Sequence, residues 1–541
     1  MEKEFQTVQN KEQFQKASPK HILKQIHQFI NPDSYSEQGA RRVLSIDVLR
    51  GIAIFCTCFI HEVSRYLDEN MFTKLKMPIA ILGYIIGAPS ALFSQWRSFF
   101  TLICGMTYGY LGNDTQWSIQ KSAIECLKRT MVSIIQLPMF FFFNCILVYV
   151  WSLGTHWEPT YHHPFTVRWF EYQMHESAAC WFYGLTFCFM HLIAFSANTI
   201  ARLFSRNRKI YQIMFIRAAV YCVFGAVVSL ITNQIQVVTF QMLKRRFPSR
   251  FENVSMLECP TADLGDYFSP NYSQGLFVMF ITFWTGPQCY VFPMWTNLFF
   301  GCMIGCFIQG VVQHRKLTPN NRDWMRLRKR YLLLFGFSFV IPLILWGFQS
   351  WLTLSDIKVG RRTEFQSMKR LLKGQFYLNC YMPELLLFDD IFQFLAVFAM
   401  FLICDSTTKQ KSIVRTNKTL YLRRLSTGSL TCYVFSTVLG GFIRGFFSQQ
   451  FDRQNILQFY GFEIVYFIMQ LFLMIGLDYA DWMFTPDWIV NMMSKGFQCK
   501  YKCGQFAKGS HLKVQNVNVF EKVDEYNQID DEEQLQPAEI Q

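Results

Sequence analysis

The chain has 541 residues, of which 51% are hydrophobic and 17% are charged, and its formal net charge is +14. Ordinary soluble domains carry about 25% charged residues, so this composition excludes a typical soluble globular protein. The Lys and Arg residues lie mostly in short connections between apolar stretches, as expected for a protein that meets anionic lipid headgroups. The positive charge therefore indicates a lipid bilayer as partner and argues against a nucleic acid.

Apolar stretches recur throughout residues 43–490 and predict an all-α, polytopic transmembrane helical bundle. They are long and do not alternate strictly, which favours helices over a β-barrel. A polar N-terminal segment precedes them at 1–42, without the pattern of a secretory signal, and a polar C-terminal tail follows at 491–541. About ten spans are predicted, near residues 45–62, 96–112, 131–151, 179–200, 212–232, 292–311, 331–353, 385–404, 428–447 and 461–480.

The charges of the connections predict the orientation of these spans. Four basic connections, at 113–130, 201–211, 312–330 and 405–425, would share a side with the N-terminus. The connection at 152–178 falls on the other side and contains three Glu residues. The positive-inside rule therefore places both termini on the same, basic side, and the longer connections of mixed charge count for less in that rule.

Two apolar segments do not fit a simple span. Residues 79–93 are short and contain Gly87 and Pro89, which suggests a re-entrant or interfacial segment. Residues 276–286 precede the sixth span and indicate a broken helix lining a cavity, with a simple proline kink as the alternative.

The first span contains ionisable residues, which are costly in a membrane and indicate function. Asp47 and Arg50 are three residues apart and can pair on one helical face. His61 lies eleven residues after Arg50, which returns it to nearly the same face roughly 16 Å further along the axis. An imidazole there could act as a general base, and the alternative is a hydrogen-bonded histidine at the end of a span.

These residues form part of a pattern that resembles the multi-pass membrane acyltransferases, a superfamily that includes bacterial O-acetyltransferases and the heparan-alpha-glucosaminide N-acetyltransferase group. The opening helix is similar in its Asp47-x-x-Arg50-Gly51 followed by His61. Three later segments are similar to motifs of the family, in the same order along the chain: Trp96 to Gly105, Phe292-Pro293 with Gly301 and Gly305, and Leu425 to Tyr433.

The resemblance implies acyl transfer from acyl-CoA, on the basic side, to a hydroxyl or amine acceptor at the membrane. His61 would then be the catalytic base. Arg50, Arg97 and Arg129 would bind the phosphates of the cofactor or the developing oxyanion, since the guanidinium fork suits phosphate. Arg129 also begins a span, where a topological role explains it equally well.

Other polar residues within the spans fit cross-helix pairing or snorkelling, as for His191, Arg217 and Glu463. Asp389 and Asp390 open the eighth span and could flank a cavity, and we interpret them as structural or pairing residues. A carboxylate dyad is not predicted, because neighbours on a helix point apart. No metal site is predicted, since Cys499 and Cys503 have no matching pair of ligands.

Catalysis itself stays an open question at this point. The alternative is a catalytically silent, acyltransferase-like accessory subunit of a large membrane complex, in which other membrane subunits hold the N- and C-terminal tails. A mitochondrial respiratory assembly of the inner membrane is one candidate location, and an endomembrane or lysosomal location is the other. A transporter is a third interpretation, disfavoured because no pair of corresponding broken helices is evident.

Overall fold

The computed structural model describes the helical body of the chain. The described residues are 43–66, 96–110, 119–154, 178–204, 209–246, 291–318, 321–358, 383–405, 419–447, 456–479 and 485–489, together with 248 and 284. The predicted irregular segment 79–93 lies outside them, and so do both polar ends and nearly all of 276–286. All regular secondary structure within the described residues is helical.

Each segment predicted as a span overlaps a helix. The helices are α1 (Leu44–Tyr66), α2 (Trp96–Tyr110), α3 (Ile119–Gly154), α4 (Ala178–Leu203), α5 (Ile210–Arg246), α6 (Val291–Lys316), α7 (Asn321–Gly336), α8 (Val340–Lys358), α9 (Pro383–Cys404), α10 (Leu420–Thr427), α11 (Ser429–Phe447) and α12 (Ile456–Tyr479). A single 3-10 turn, Phe337–Phe339, joins α7 to α8. The regular part of α6 begins after Phe292, whose backbone dihedral angles are non-helical.

Five helical segments among the described residues are long and apolar enough to cross a membrane. They are Gly184–Leu203, Ile210–Thr232, Val291–Lys316, Arg322–Leu352 and Leu386–Cys404. The third is largely buried inside the bundle, whereas Arg322–Leu352 is buried over only 17% of its most apolar window. Exposed side chains such as Leu334, Phe337 and Ile344 would be unfavourable in water, so this surface is suited to lipid. The chain is therefore an integral, multi-pass α-helical membrane protein.

Helices α2 and α6 pack closely through two pairs of glycines. Gly105 and Gly109 on α2, and Gly301 and Gly305 on α6, are each spaced as in a GxxxG motif. A Cβ atom added at Gly105 would overlap the carbonyl oxygen of Leu298, and one at Gly301 would overlap that of Leu102. The two backbones thus touch directly, as small residues allow between membrane helices.

Several helices extend beyond the predicted apolar segments. Helix α3 starts at Ile119, twelve residues before the predicted span, and its first turns carry an exposed ion pair of 3.3 Å between Lys128 and Glu125. Helix α5 continues to Arg246 through a polar segment. The hydrogen bonds of a helix do not depend on hydropathy, so a helix can continue into polar sequence. The apolar segment therefore indicates the part that crosses the membrane but not where the helix ends.

The predicted basic connection 405–425 also ends in a helix. Helix α10 packs on α1, where a Cβ atom on Gly51 would overlap the carbonyl oxygen of Leu422. This close approach buries Arg423 and Arg424, which are 7% and 3% exposed. These two arginines of the basic connection thus lie in a buried helix, because glycine on α1 lets α10 pack against the bundle.

Candidate functional site

Arg50 reaches from α1 to the neighbouring helix α2. Its Nη2 atom donates a hydrogen bond to the hydroxyl oxygen of Thr107, and this hydroxyl donates in turn to the carbonyl oxygen of Ile103 at 3.0 Å. Arg50 is half-buried, as is Thr107. The guanidinium is thereby directed at the C-terminal end of α2.

The next residue on α2, Tyr108, contacts a histidine. Its hydroxyl is hydrogen-bonded to Nδ1 of His191 on α4, and Nε2 of the same ring lies 3.1 Å from the hydroxyl oxygen of Ser133 on α3. Arg129, one helical turn before Ser133, is close enough to act on His191 electrostatically. The imidazole therefore joins three helices beside an arginine.

These contacts form one group, which we call the Thr107 cluster: Arg50, Thr107, Tyr108, Arg129, Ser133 and His191. Two of the three arginines predicted to bind a cofactor, Arg50 and Arg129, belong to it. Arg50 contacts Thr107, whereas Arg129 acts on His191, the partner of the adjacent Tyr108, so two positive charges lie near the C-terminal end of α2. Guanidinium groups favour phosphate or carboxylate ligands.

Asp47, predicted as a pairing residue, is buried in the first turn of α1. Its Oδ1 atom accepts a hydrogen bond of 3.4 Å from the hydroxyl of Ser426 on α10. Two residues earlier, the backbone N–H of Ser45 donates to Oδ2 of Asp405 at 3.2 Å. The first and fourth segments of the acyltransferase-like pattern are thus in direct contact.

A second carboxylate stabilises the start of α11. Oδ2 of Asp487 accepts hydrogen bonds from the backbone N–H and the hydroxyl of Thr431, at 2.7 and 2.5 Å. The N–H of Asp487 donates back to the Thr431 hydroxyl oxygen at 3.3 Å. Burial raises the pKa of the Asp487 carboxyl, opposed by these hydrogen bonds and, more weakly, by the charge of Arg50. Asp487 therefore lies within electrostatic reach of the Thr107 cluster.

A separate polar group, the Asp390 cluster, lies toward the other end of α2. Nδ2 of Asn297 on α6 donates to Oδ1 of Asp390 at 2.7 Å, and Nε2 of Gln393 donates to the hydroxyl oxygen of Ser98 at 2.6 Å. All four residues are buried. Ser98 precedes Thr107 by nine residues, which corresponds to roughly 14 Å along the helix.

Two predicted site residues have side chains outside the described part of the structure. His61 lies on α1, whose helix is continuous from Arg50 onward, so its backbone is roughly 16 Å further along the axis. Arg97 lies in the first turn of α2, next to Ser98. The roles predicted for these two side chains stay predictions.

A small cavity, with room for about one water molecule, lies between α11 and α12. Its lining is mostly apolar and includes Cys432, Leu439 and Met474, with Thr431 and Gln470 as polar members. Within the described residues there is also no group of three or more His, Cys, Asp or Glu side chains placed to hold a metal ion.

The sequence predicted that His191 pairs across helices or snorkels, and its bonds to Tyr108 and Ser133 confirm the pairing. The roles of Asp487 and Asn297 were not predicted. Asp487 follows the last predicted span, and its partner Thr431 lies 56 residues earlier. Asn297 has no local pattern at all, because its partner is 93 residues away.

Comparison of the chain with family models, with curated proteins and with solved structures gave no match.

Proposed function

We propose that this chain is a multi-pass membrane acyltransferase, which transfers an acyl group from acyl-CoA to a hydroxyl or amine acceptor at the membrane. The proposal includes ten spans with both termini on the basic side. The observation that supports it most is the Thr107 cluster, in which Arg50 and Arg129 flank one end of α2. The order of the acyltransferase-like segments along the chain supports it independently.

The arginines of the cluster would bind the phosphates of acyl-CoA. In the proposed topology this end of α2 faces the basic side, so the cofactor would enter from there. A guanidinium group offers paired N–H donors that match two phosphate oxygens, which a lysine cannot do. Thr107 orients Arg50 for this role, and Arg97 would lie at the other end of α2.

His61 would be the catalytic base in this proposal. The thioester of acyl-CoA is separated from its phosphates by a long, flexible pantetheine arm. A base roughly 16 Å along α1 from the phosphate-binding Arg50 suits such a molecule. The imidazole would take the proton from the acceptor's hydroxyl or amine as that group attacks the thioester carbonyl carbon, and CoA would leave as the thiol.

His191 is the less suitable base, although it is closer to both arginines. One ring nitrogen is bonded to Tyr108 and the other to Ser133, so neither is available to a substrate. Its role in the proposal is to position Tyr108 and to connect α4 with α2 and α3. His61 and His191 thus differ in a way that an assay can separate.

The test uses the full-length protein reconstituted in liposomes with acetyl-CoA or palmitoyl-CoA, and a thiol reagent reports the release of CoA. Wild-type protein should release CoA, faster with a panel of hydroxyl and amine acceptors than with water alone. His61→Ala should abolish this release, whereas His191→Gln should retain it, since glutamine can hydrogen-bond to both neighbours. Release that is unchanged in His61→Ala would remove His61 from the mechanism.

A second candidate function is a catalytically silent accessory subunit of a large membrane complex. It is favoured by the cavity between α11 and α12, which is mainly apolar and does not include Arg50. Mild detergent extraction followed by native sizing tests this candidate. Stoichiometric co-migration with a complex of the mitochondrial inner membrane, and no CoA release, would support it, whereas migration alone from an endomembrane or lysosomal fraction would support the enzyme.

A further inference from the structure

Asp390 is a carboxylate fully buried within a membrane-crossing helix. It lies on α9, four residues after the start of the Leu386–Cys404 segment. Its Oδ1 atom accepts the 2.7 Å hydrogen bond from Asn297, but its Oδ2 atom has no hydrogen-bond partner among the described residues. An isolated charge in such a place is strongly unfavourable, so a buried carboxylate must be neutralised.

Asn297 provides an independent observation at the same place. It is fully buried on α6, and its Oδ1 atom also has no hydrogen-bond partner among the described residues. The orientation of its amide is fixed, because Nδ2 lies between Oδ1 of Asp390 and, at 3.5 Å, Oε1 of Gln393. Gln393 is in turn held by Ser98 of α2. The amide oxygen of Asn297 therefore lies next to the carboxylate of Asp390.

Oδ2 of Asp390 and Oδ1 of Asn297 can each accept a hydrogen bond or coordinate a cation. One is a carboxylate oxygen and the other an amide oxygen, so a further acceptor or an anion cannot satisfy them. A hydrogen-bond donor, a cation or a proton can, and no donor among the described residues does. Such intramembrane carboxylates commonly mark ion pathways and proton relays.

The charge of the site selects a monovalent ion. Asp389 is adjacent to Asp390 on α9 and therefore points about 100° away, so the two carboxylates do not converge on one ion. One carboxylate and one amide oxygen balance a single positive charge. Calcium takes six to eight oxygen ligands and magnesium demands an octahedral shell, which exceeds what these residues provide.

We propose that Asp390 and Asn297 form an intramembrane binding site for one monovalent cation, a proton or an alkali-metal ion. In the proton-bound form, Oδ2 of Asp390 carries the hydrogen and donates it to Oδ1 of Asn297, which completes a cyclic acid–amide pair. In the metal-bound form, the same two oxygens coordinate the ion. This site does not depend on the proposed acyl transfer.

The charged group that acts on Asp390 from its own helix is Asp389. Helices α6 and α2 place neutral groups against it, Asn297 directly and Ser98 through Gln393. Asp389 is half-buried, and its Oδ2 atom also has no hydrogen-bond partner among the described residues. The described hydrogen bonds of Asn297 go to Asp390 and Gln393, so Asp389 serves as the comparison carboxylate that lacks the amide partner.

The test measures the full-length protein in detergent by two methods. Infrared difference spectroscopy detects a protonated carboxylic acid through its C=O stretch, and a binding assay uses radiolabelled sodium or rubidium. We expect either an acid band or about one bound ion per chain. Asp390→Asn should remove the bound ion or the acid band that is sensitive to Asn297, and Asp389→Asn should keep it. Asn297→Leu should weaken it at least tenfold, and it provides a second route if Asp390→Asn does not fold.

Absence of both signals in the wild-type protein would overturn the proposal. It would mean that Asp390 is permanently ionised and paired with a cationic side chain outside the described ones. A signal that persists in folded Asp390→Asn would overturn it equally. Neither result would bear on CoA release, so the two proposals fail separately.

Discussion

Arg50 on α1 and Thr107 on α2 are joined by a hydrogen bond, 57 residues apart in the chain. The Thr107 hydroxyl is itself fixed, because it donates to the carbonyl oxygen of Ile103 one turn earlier. A guanidinium held by a fixed acceptor has little rotational freedom left to lose when it binds an anion, which favours binding. The contact between α1 and α2 thus orients the guanidinium group of Arg50 for a charged ligand.

Thr107→Val should lower stability and weaken the binding of CoA. Valine keeps the shape of the side chain but leaves the half-buried Arg50 without this acceptor, at a cost of about 1–3 kcal/mol. Thermal unfolding of the purified protein, with and without CoA, measures both effects. Thr199→Val is the matched control, because the Thr199 hydroxyl bonds only to Phe195 of its own helix among the contacts described. Equal losses in both variants would contradict the assigned role of Thr107.

Arg50→Gln should raise the KM for acyl-CoA by about 10- to 100-fold. A charge-assisted hydrogen bond to phosphate contributes about 1.5–3 kcal/mol, and each 1.4 kcal/mol is a factor of ten. Steady-state CoA release at varied acyl-CoA concentration gives the value. Lys121→Gln, an exposed cation on α3, controls for the loss of one positive charge at the surface. A KM that rises by the same factor in both variants would assign the effect to general electrostatics.

Gly301→Ala should destabilise the bundle, whereas Gly347→Ala should not. The added Cβ atom at Gly301 would overlap the backbone of Leu102, and α2 would have to shift, which costs about 1–3 kcal/mol or more. No atom lies within 4 Å of the corresponding position at Gly347, so alanine there gains about 0.5–1 kcal/mol of helix stability. Unfolding midpoints in one detergent compare the two directly. Destabilisation of similar size in both would show that the glycines matter for reasons other than contact between α2 and α6.

Asp487→Asn should change how stability depends on pH. The pKa of Asp487 is raised in the folded protein, so its contribution to stability is fully present below the unfolded value of about 3.9 and declines as the pH rises through the folded pKa. The stability of the wild-type protein relative to Asp487→Asn should therefore be greatest near pH 4 and smaller at pH 7. Unfolding midpoints across this range test the sign.

Thr431→Val serves as the control for that measurement. It removes the hydroxyl partner of Asp487 but keeps the carboxyl group and the backbone N–H bond. The hydrogen bonds to Thr431 lower the pKa of Asp487, so their loss should raise it and steepen the decline with pH. A wild-type protein that gains stability relative to Asp487→Asn as the pH rises would show that the hydrogen bonds outweigh burial at this carboxyl.

The positions of the helices were determined by the sequence alone. A run of apolar residues long enough to cross a bilayer must form a helix, because lipid offers its backbone no other hydrogen-bond partner. The predicted span 45–62 accordingly lies within Leu44–Tyr66, and 385–404 within Pro383–Cys404. Gly301 and Gly305 belonged in the sequence only to the acyltransferase-like pattern, and their direct contact with α2 was revealed by the structure.

Which polar groups meet was decided only by the tertiary structure. Thr431 and Asp487, or Asn297 and Asp390, are partners because separate helices bring them together, and no periodicity in the sequence records such a pairing. The same reason explains the burial of Arg423 and Arg424, which follows from the packing of α10 on Gly51. The hydropathy of a segment can be read from that segment alone. The burial and hydrogen bonding of its side chains depend on which other helices pack against it.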